Sequence, residues 1–218
     1  RNKHLAAMQQ NGLTIVAENE TFVCKPKLAT DNVAEIGIAN YVILTTKSYD
    51  LAATIEQIKP CIDDNTILLP LLNGADIDER IATLLPNNIV WKGCVYIVGR
   101  LIEPGVVQSS GGVHDLYFGY NNGAKQELNF LHKTMLDAGI KSNLCDDIDV
   151  KIWRKFIFIS TTATLSSYFN CGFRDLLTNE ERKSTTHACL REIIAVANAL
   201  GIVFDFDIFE LVIKHIER

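Results

Sequence analysis

Tyr41-Val42-Ile43-Leu44-Thr45-Thr46-Lys47-Ser48-Tyr49 begins as an apolar, β-branched run and ends in polar residues. Residues 41–46 suit a buried strand; from 50 to 58 the apolar spacing becomes helical, and Pro60 stops it. A second unit of the same kind follows. Residues 66–72 read as a strand, Asn73-Gly74 as its exit, and 76–85 as a helix with Pro86 beyond it. A further strand spans 89–98. Strands alternating with helices of this length predict an α/β fold with a parallel, doubly wound Rossmann-type sheet.

Outward from this centre the pattern is less regular. Residues 1–10 read as a short helix stopped by Asn11-Gly12, and 13–17 and 21–25 as strands joined by a polar turn around Asn19. Residues 106–108 and 116–119 suggest an irregular, antiparallel finish. Residues 125–138 form an amphipathic helix, with Leu128, Leu131 and Met135 on one face and Gly139 closing it. From Ile148 the composition changes: a long helix runs to about 168 and another spans about 178–200, closed by Gly201. The expected architecture is an incomplete Rossmann-type domain over 1–147, followed by an all-helical domain over 148–218. The connection is short, so the two are expected to pack tightly and leave a cleft.

With 218 residues, 48% of them hydrophobic and 22% charged, the chain has enough apolar material for a substantial core. A net charge of -5 without a basic cluster argues against nucleic acid as a partner. Apolar runs such as 66–72 and 156–159 are far too short to span a membrane. No signal peptide is visible, and Arg1 is not a natural start. Six scattered cysteines, without a Cys-x-x-Cys pair or neighbouring histidines, read mostly as buried thiols in a reducing cytoplasm and not as a zinc site. His187 reads as structural.

Four positions carry candidate chemistry. In Asp146-Asp147-Ile148-Asp149-Val150-Lys151-Ile152-Trp153-Arg154-Lys155-Phe156, two acids feed a helix and Lys155 lies deep among apolar residues. Such a lysine either snorkels to water along its stem or stands in a cleft as a proton donor to a carbonyl. Trp153 and Phe156 read as packing and Lys151 as solvent-facing. Lys47, beyond the carboxyl end of a parallel strand, is either an ordinary loop lysine or a phosphate ligand. Asn73 is either one half of an Asn-Gly turn or an amide offered to a ligand. Arg1 is either an idle terminal residue or a fork of donors for a phosphate.

These segments, with Gly93-Cys94-Val95-Tyr96-Ile97 and the opening Arg1-Asn2-Lys3-His4-Leu5 continuing to Asn11-Gly12-Leu13, resemble in their order the ketopantoate reductase (2-dehydropantoate 2-reductase) family. The resemblance covers nearly the whole chain. It implies a cytoplasmic NADPH-dependent oxidoreductase that converts a small-molecule 2-keto acid, 2-dehydropantoate, to pantoate in pantothenate and coenzyme A biosynthesis. It further implies Lys155 as the catalytic proton donor and Asn73 as a residue facing both substrate and cofactor. Lys47 and Arg1 would be NADP(H) ligands, Arg1 at the 2′-phosphate. The 148–218 domain would be the substrate and dimerisation domain, which leaves a homodimer open.

The chain also departs from the family. The Gly-x-Gly-x-x-Gly loop with its strand is not found, nor are a substrate-binding serine and acid that the family places beyond residue 218. The chain therefore reads as a piece of a longer protein. Asparagines that family members carry four and eight residues after the lysine are here Ile159 and Ala163. Two other readings stay open: another hydroxyacid dehydrogenase-like reductase, and a diverged binding protein without turnover.

Overall fold

A computed structural model of the chain describes residues 2–120 and 125–217. They form two compact units. The first runs up to Leu72 and resumes over Asp76–Asp146; the second comprises Asn73–Ala75 and the chain from Asp147 onward.

In the first unit, helix α1 (Lys3–Asn11) leads into strands β1 (Leu13–Val16) and β2 (Thr21–Cys24). Then come β3 (Tyr41–Leu44), α2 (Leu51–Ile58), β4 (Ile67–Pro70), α3 (Ile77–Leu84) and β5 (Ile89–Val90). Strands β3, β4 and β5 make a parallel sheet in that order, with Val42 opposite Leu68 and Leu68 opposite Val90. Side chains alternate between the two faces of a strand, and here both faces are apolar. Leu44 and Leu68, with Val42 and Val90, pack on Leu51 and Ile55 of α2 and on Ile77 and Ile81 of α3. Ile67 and Leu69, with Tyr41 and Ile89, face the opposite way. Helices cover the first face. The second is covered by a second sheet and by α4 (Lys125–Asp137), through Leu116, Phe118, Leu128, Leu131 and Met135.

That second sheet comes from β6 (Lys92–Glu103), β7 (Val106–Gly119) and β8 (Ser142–Leu144), with the β1–β2 pair. The one strand expected over 89–98 is thus two, divided at Trp91. The Trp91 N–H still donates to Leu68 O of the parallel sheet (2.8 Å), and Lys92 already pairs with Gly119 in the other. The indole is fully buried, its ring 5.8 Å from Tyr41 and 5.9 Å from Phe118. Two residues on, a Cβ at Gly93 would sit 2.8 Å from Leu69 and 2.9 Å from Leu71 side-chain carbons, so any larger residue at the crossing must push those side chains aside. The two short strands expected over 106–119 are one. Gly111, with φ 87°, takes a conformation open to glycine without ending the strand, next to a register shift between Tyr96 and Val98.

The second unit is helical: α5 (Ile148–Phe169), α6 (Glu180–Ala199) and α7 (Ile208–Glu217). Trp153, Ile157 and Leu165 of α5, Leu190 and Ala197 of α6, and Ile208, Val212 and Ile216 of α7 form its core. Spacings of four on α7 and seven on α6 mark one stripe on each of those helices. Asn170, left-handed at φ 49°, ends α5, and Asn179 caps α6 by accepting the Arg182 N–H. Helix α7 is absent from the expectations above. Its signals were the 208, 212, 216 spacing and Asp207, whose Oδ1 accepts the Glu210 N–H at 3.0 Å.

No described helix is long and apolar enough to cross a membrane. The cysteines are less buried than expected: Cys61 and Cys94 are buried, Cys145, Cys171 and Cys189 half-buried, and Cys24 exposed. Cys24 lies on β2, which ends the sheet and has one side without a neighbouring strand. Burial, and then the Glu192 carboxylate, push the Cys189 thiol up, which keeps it protonated and unreactive.

Trp91→Ala should lower the unfolding free energy by about 3–5 kcal/mol, the range for truncating a large buried aromatic. Urea titration of the variant beside the parent measures this, and a loss under about 1 kcal/mol contradicts the buried junction.

Candidate active site

The site begins with the geometry of one helix. Successive residues on α5 are turned by about 100°, so positions two apart lie on nearly opposite sides. Trp153 and Ile157 are buried in the core of the second unit, and Lys155 lies between them in sequence. Lys155 therefore points away from that core and is half-buried, where the apolar run suggested a deeply buried lysine. A half-buried lysine pays less desolvation than one in the core. Trp153 and Phe156 are packing residues as expected, their rings edge to face at 5.4 Å.

Lys155 Nζ donates a hydrogen bond of 2.7 Å to Asn73 Oδ1. Asn73 is exposed and stands in the turn between β4 and α3. Gly74 follows with φ 144°, a conformation that side chains other than glycine rarely adopt. The backbone turns at Gly74, and the amide oxygen of Asn73 accepts from the lysine. An ammonium donates three hydrogen bonds, and anchoring one of them fixes the direction of the head group.

The neighbouring lysine behaves differently. Lys151 Nζ lies 3.1 Å from Asp147 Oδ2, one turn back, with its side chain about a third exposed (32%). It was expected to face solvent. The acid at the helix start pairs with it, an arrangement that at such exposure contributes little stability.

Lys47 belongs to the first unit. It is exposed and follows β3 at the carboxyl end of the parallel sheet. It lines a cavity of about 500 Å³ with Thr45, Thr46, Asp50 and Thr54. One ammonium and three hydroxyls suit a phosphate, and the Asp50 carboxylate suits a sugar hydroxyl. A phosphate- and ribose-bearing ligand fits this donor set. The threonines and Asp50 were not singled out from the sequence. The Thr-Thr pair at the strand end was a signal, because ligands gather beyond the carboxyl ends of parallel strands. Arg1 lies outside the described residues. Among the described residues there is no cluster of three or more His, Cys, Asp or Glu suited to a metal. His187 stacks edge-on against Phe209 at 5.1 Å, a packing contact.

Known proteins share this fold. Residues 1–123 match the family model described as "Ketopantoate reductase PanE/ApbA", and residues 147–218 match its companion, "Ketopantoate reductase PanE/ApbA C terminal". A solved structure of 2-dehydropantoate 2-reductase from Porphyromonas gingivalis W83 superposes with a TM-score of 0.90 at 36% identity, covering 100% of this chain and 76% of that one. "Uncharacterized oxidoreductase YkpB" of Bacillus subtilis (strain 168) is 26% identical over 94% of this chain and 67% of its own length. A 2-dehydropantoate 2-reductase of Mesorhizobium japonicum is 24% identical over 94% of this chain and 68% of its own. The chain thus spans about two thirds of the length of these last two relatives. Two family models together match well over half of its residues, and the chain belongs to the ketopantoate reductase family of oxidoreductases.

Proposed function

We propose that the protein reduces a 2-keto acid with NADPH, and that Lys155 is its proton donor. The observation that carries this reading is the 2.7 Å hydrogen bond from Lys155 Nζ to Asn73 Oδ1. It supports a lysine held for use, since a lysine that merely snorkels needs no fixed partner. The bound cofactor supplies hydride to the carbonyl carbon. Lys155 Nζ donates a hydrogen bond to the keto oxygen and passes it a proton as the C–O π bond becomes a C–O⁻ lone pair. The product is the 2-hydroxy acid. The ammonium faces most negative charge in the transition state, which is where stabilisation raises the rate. Asn73 holds the head group so that its direction need not be fixed at the moment of reaction.

Lys47, with Thr45, Thr46 and Thr54, would hold a phosphate of the cofactor, and Arg1 its 2′-phosphate. The substrate named for the relatives, 2-dehydropantoate, is the first to test, and its reduction would place the protein in pantothenate biosynthesis. Six cysteines, none of them in a disulfide, suit a reducing cytoplasm.

In the full-length protein, Lys155→Ala should keep the fold and lower turnover by roughly 10²–10⁴-fold, the range for a positioned proton donor. Lys155→Arg should rescue poorly, because a guanidinium is bulkier and holds its proton too tightly. Steady-state kinetics beside a thermal melt separates this from loss of stability. Wild-type turnover in Lys155→Ala removes the catalytic assignment, and no turnover of any 2-keto acid by the parent makes the binding protein without turnover the better reading.

Asn73→Ala should lower kcat/KM less than Lys155→Ala does, and the double variant should be little worse than Lys155→Ala alone. Groups acting as a unit are non-additive. Strictly additive losses contradict the claim that Asn73 acts through Lys155.

NADPH should bind more tightly than NADH by roughly 10-fold or more, the value of one charge-assisted contact to the 2′-phosphate. Titration of the full-length protein with each cofactor checks this, and equal affinities refute it.

A further inference from the structure

We infer that Arg80 of α3 is a positioning residue for the nicotinamide cofactor, holding in place the turn that carries Lys47. This rests on the reading of Lys47 as a phosphate ligand given above. The parallel sheet brings the two segments together. Strands β3 and β4 are neighbours, so the chain leaves both at the same end of the sheet. The helices that follow, α2 and α3, cover the same face. From α3, Arg80 Nη2 donates to Ser48 O at 3.1 Å.

The turn has few other ties. Ser48–Asp50 is a single 3₁₀ turn between β3 and α2, and none of its side chains is buried. Leu44 before it and Leu51 after it are buried and fix the two ends. Within it, Asp50 N–H donates to Lys47 O (2.9 Å) and Leu51 N–H to Ser48 O. No side chain caps this turn or the start of α2. Among the described residues, Arg80 supplies the one side-chain hydrogen bond that reaches residues 47–50 from outside, and its guanidinium has no second partner. Lys47 and Asp50, at the two ends of the turn, line the 500 Å³ cavity, so the backbone of the turn sets where their ammonium and carboxylate stand. A carbonyl bonded to a planar, permanently charged donor is held more firmly than one facing water. A turn ordered before the ligand arrives leaves less entropy to be lost on binding. Arg80 therefore acts on cofactor affinity through Lys47 and does not touch the reacting atoms.

The test uses the full-length protein and reads NADPH affinity by titration, kcat at saturating NADPH, and the melting temperature. Arg80→Ala should raise the NADPH Kd by roughly 5–20-fold, the loss of one charge-assisted hydrogen bond at an exposed place, and leave the melting temperature unchanged. Its kcat should stay within about 2-fold of the parent, since the bond acts on binding and not on the chemical step. Arg80→Lys, which keeps a donor and the charge, should recover most of the affinity. In a Lys47→Ala background, Arg80→Ala should raise Kd by no more than about 2-fold, because a positioning residue acts through the group it positions. An unchanged Kd in Arg80→Ala overturns the inference and leaves the reductase reading standing. So does a full multiplicative loss in the Lys47→Ala background, which marks a guanidinium acting on the ligand itself, or a joint fall of kcat and melting temperature, which marks a structural role. Parent affinity in Lys47→Ala overturns the phosphate assignment together with this inference, and no NADPH binding by the parent overturns the reductase reading as well.

Discussion

A helix turns by about 100° per residue, and the chemistry proposed for this chain depends on how α5 uses that turn. Trp153 and Ile157 on one side belong to the core of the helical unit. Their burial fixes the rotation of the helix, and the rotation carries Lys155 to the other side. Rotating α5 to bury Lys155 would pull Trp153 and Ile157 out of the core, at a cost of about 1.5–3 kcal/mol for each such side chain. The position of the ammonium is therefore a consequence of apolar packing. The hydrogen bond to Asn73 then adds direction to position, joining residues 82 apart in the sequence.

A similar logic governs the first unit. The three parallel strands are apolar on both faces, and each face needs a cover. Helices α2 and α3 cover one. The chain covers the other by crossing at Trp91 from the parallel sheet into the antiparallel one, with Phe118 and the apolar side of α4 closing over the same surface. The 500 Å³ cavity around Lys47 opens where β3 gives way to α2, at the end of the sheet where alternating strands and helices leave room for a ligand.

Much of this was legible from residue patterns, for reasons that differ by element. Strands β3 and β4 are short, continuous and apolar between turn residues, and the periodicity after each is plainly helical. Helix α5 announced itself through Asp147 and the length of its pattern. The junction at Trp91 was not legible, because a strand that changes sheets keeps its strand-like residues throughout. The continuity of β7 between 108 and 116 was not legible either, because a glycine that serves a bulge and one that ends a strand are the same residue. Helix α7 was overlooked although its apolar spacing is regular. In the site, the chemical types of Lys155 and Asn73 were readable, but their contact was not, since nothing in either local sequence encodes a partner so far away. The degree of burial of Lys155 was misjudged because Trp-Arg-Lys-Phe-Ile-Phe-Ile-Ser is apolar in composition while its two buried side chains, Trp153 and Ile157, face away from the lysine.

The central claim is that the Lys155 ammonium meets the reacting oxygen. A crystal structure of the full-length protein with NADP and a bound 2-hydroxy acid measures this directly. The account predicts Lys155 Nζ at hydrogen-bond distance from the 2-hydroxyl oxygen, about 2.7–3.2 Å, with Asn73 Oδ1 still within reach of the same nitrogen. A 2-hydroxyl group lying more than about two hydrogen-bond lengths from Nζ, or held by another side chain, would contradict it.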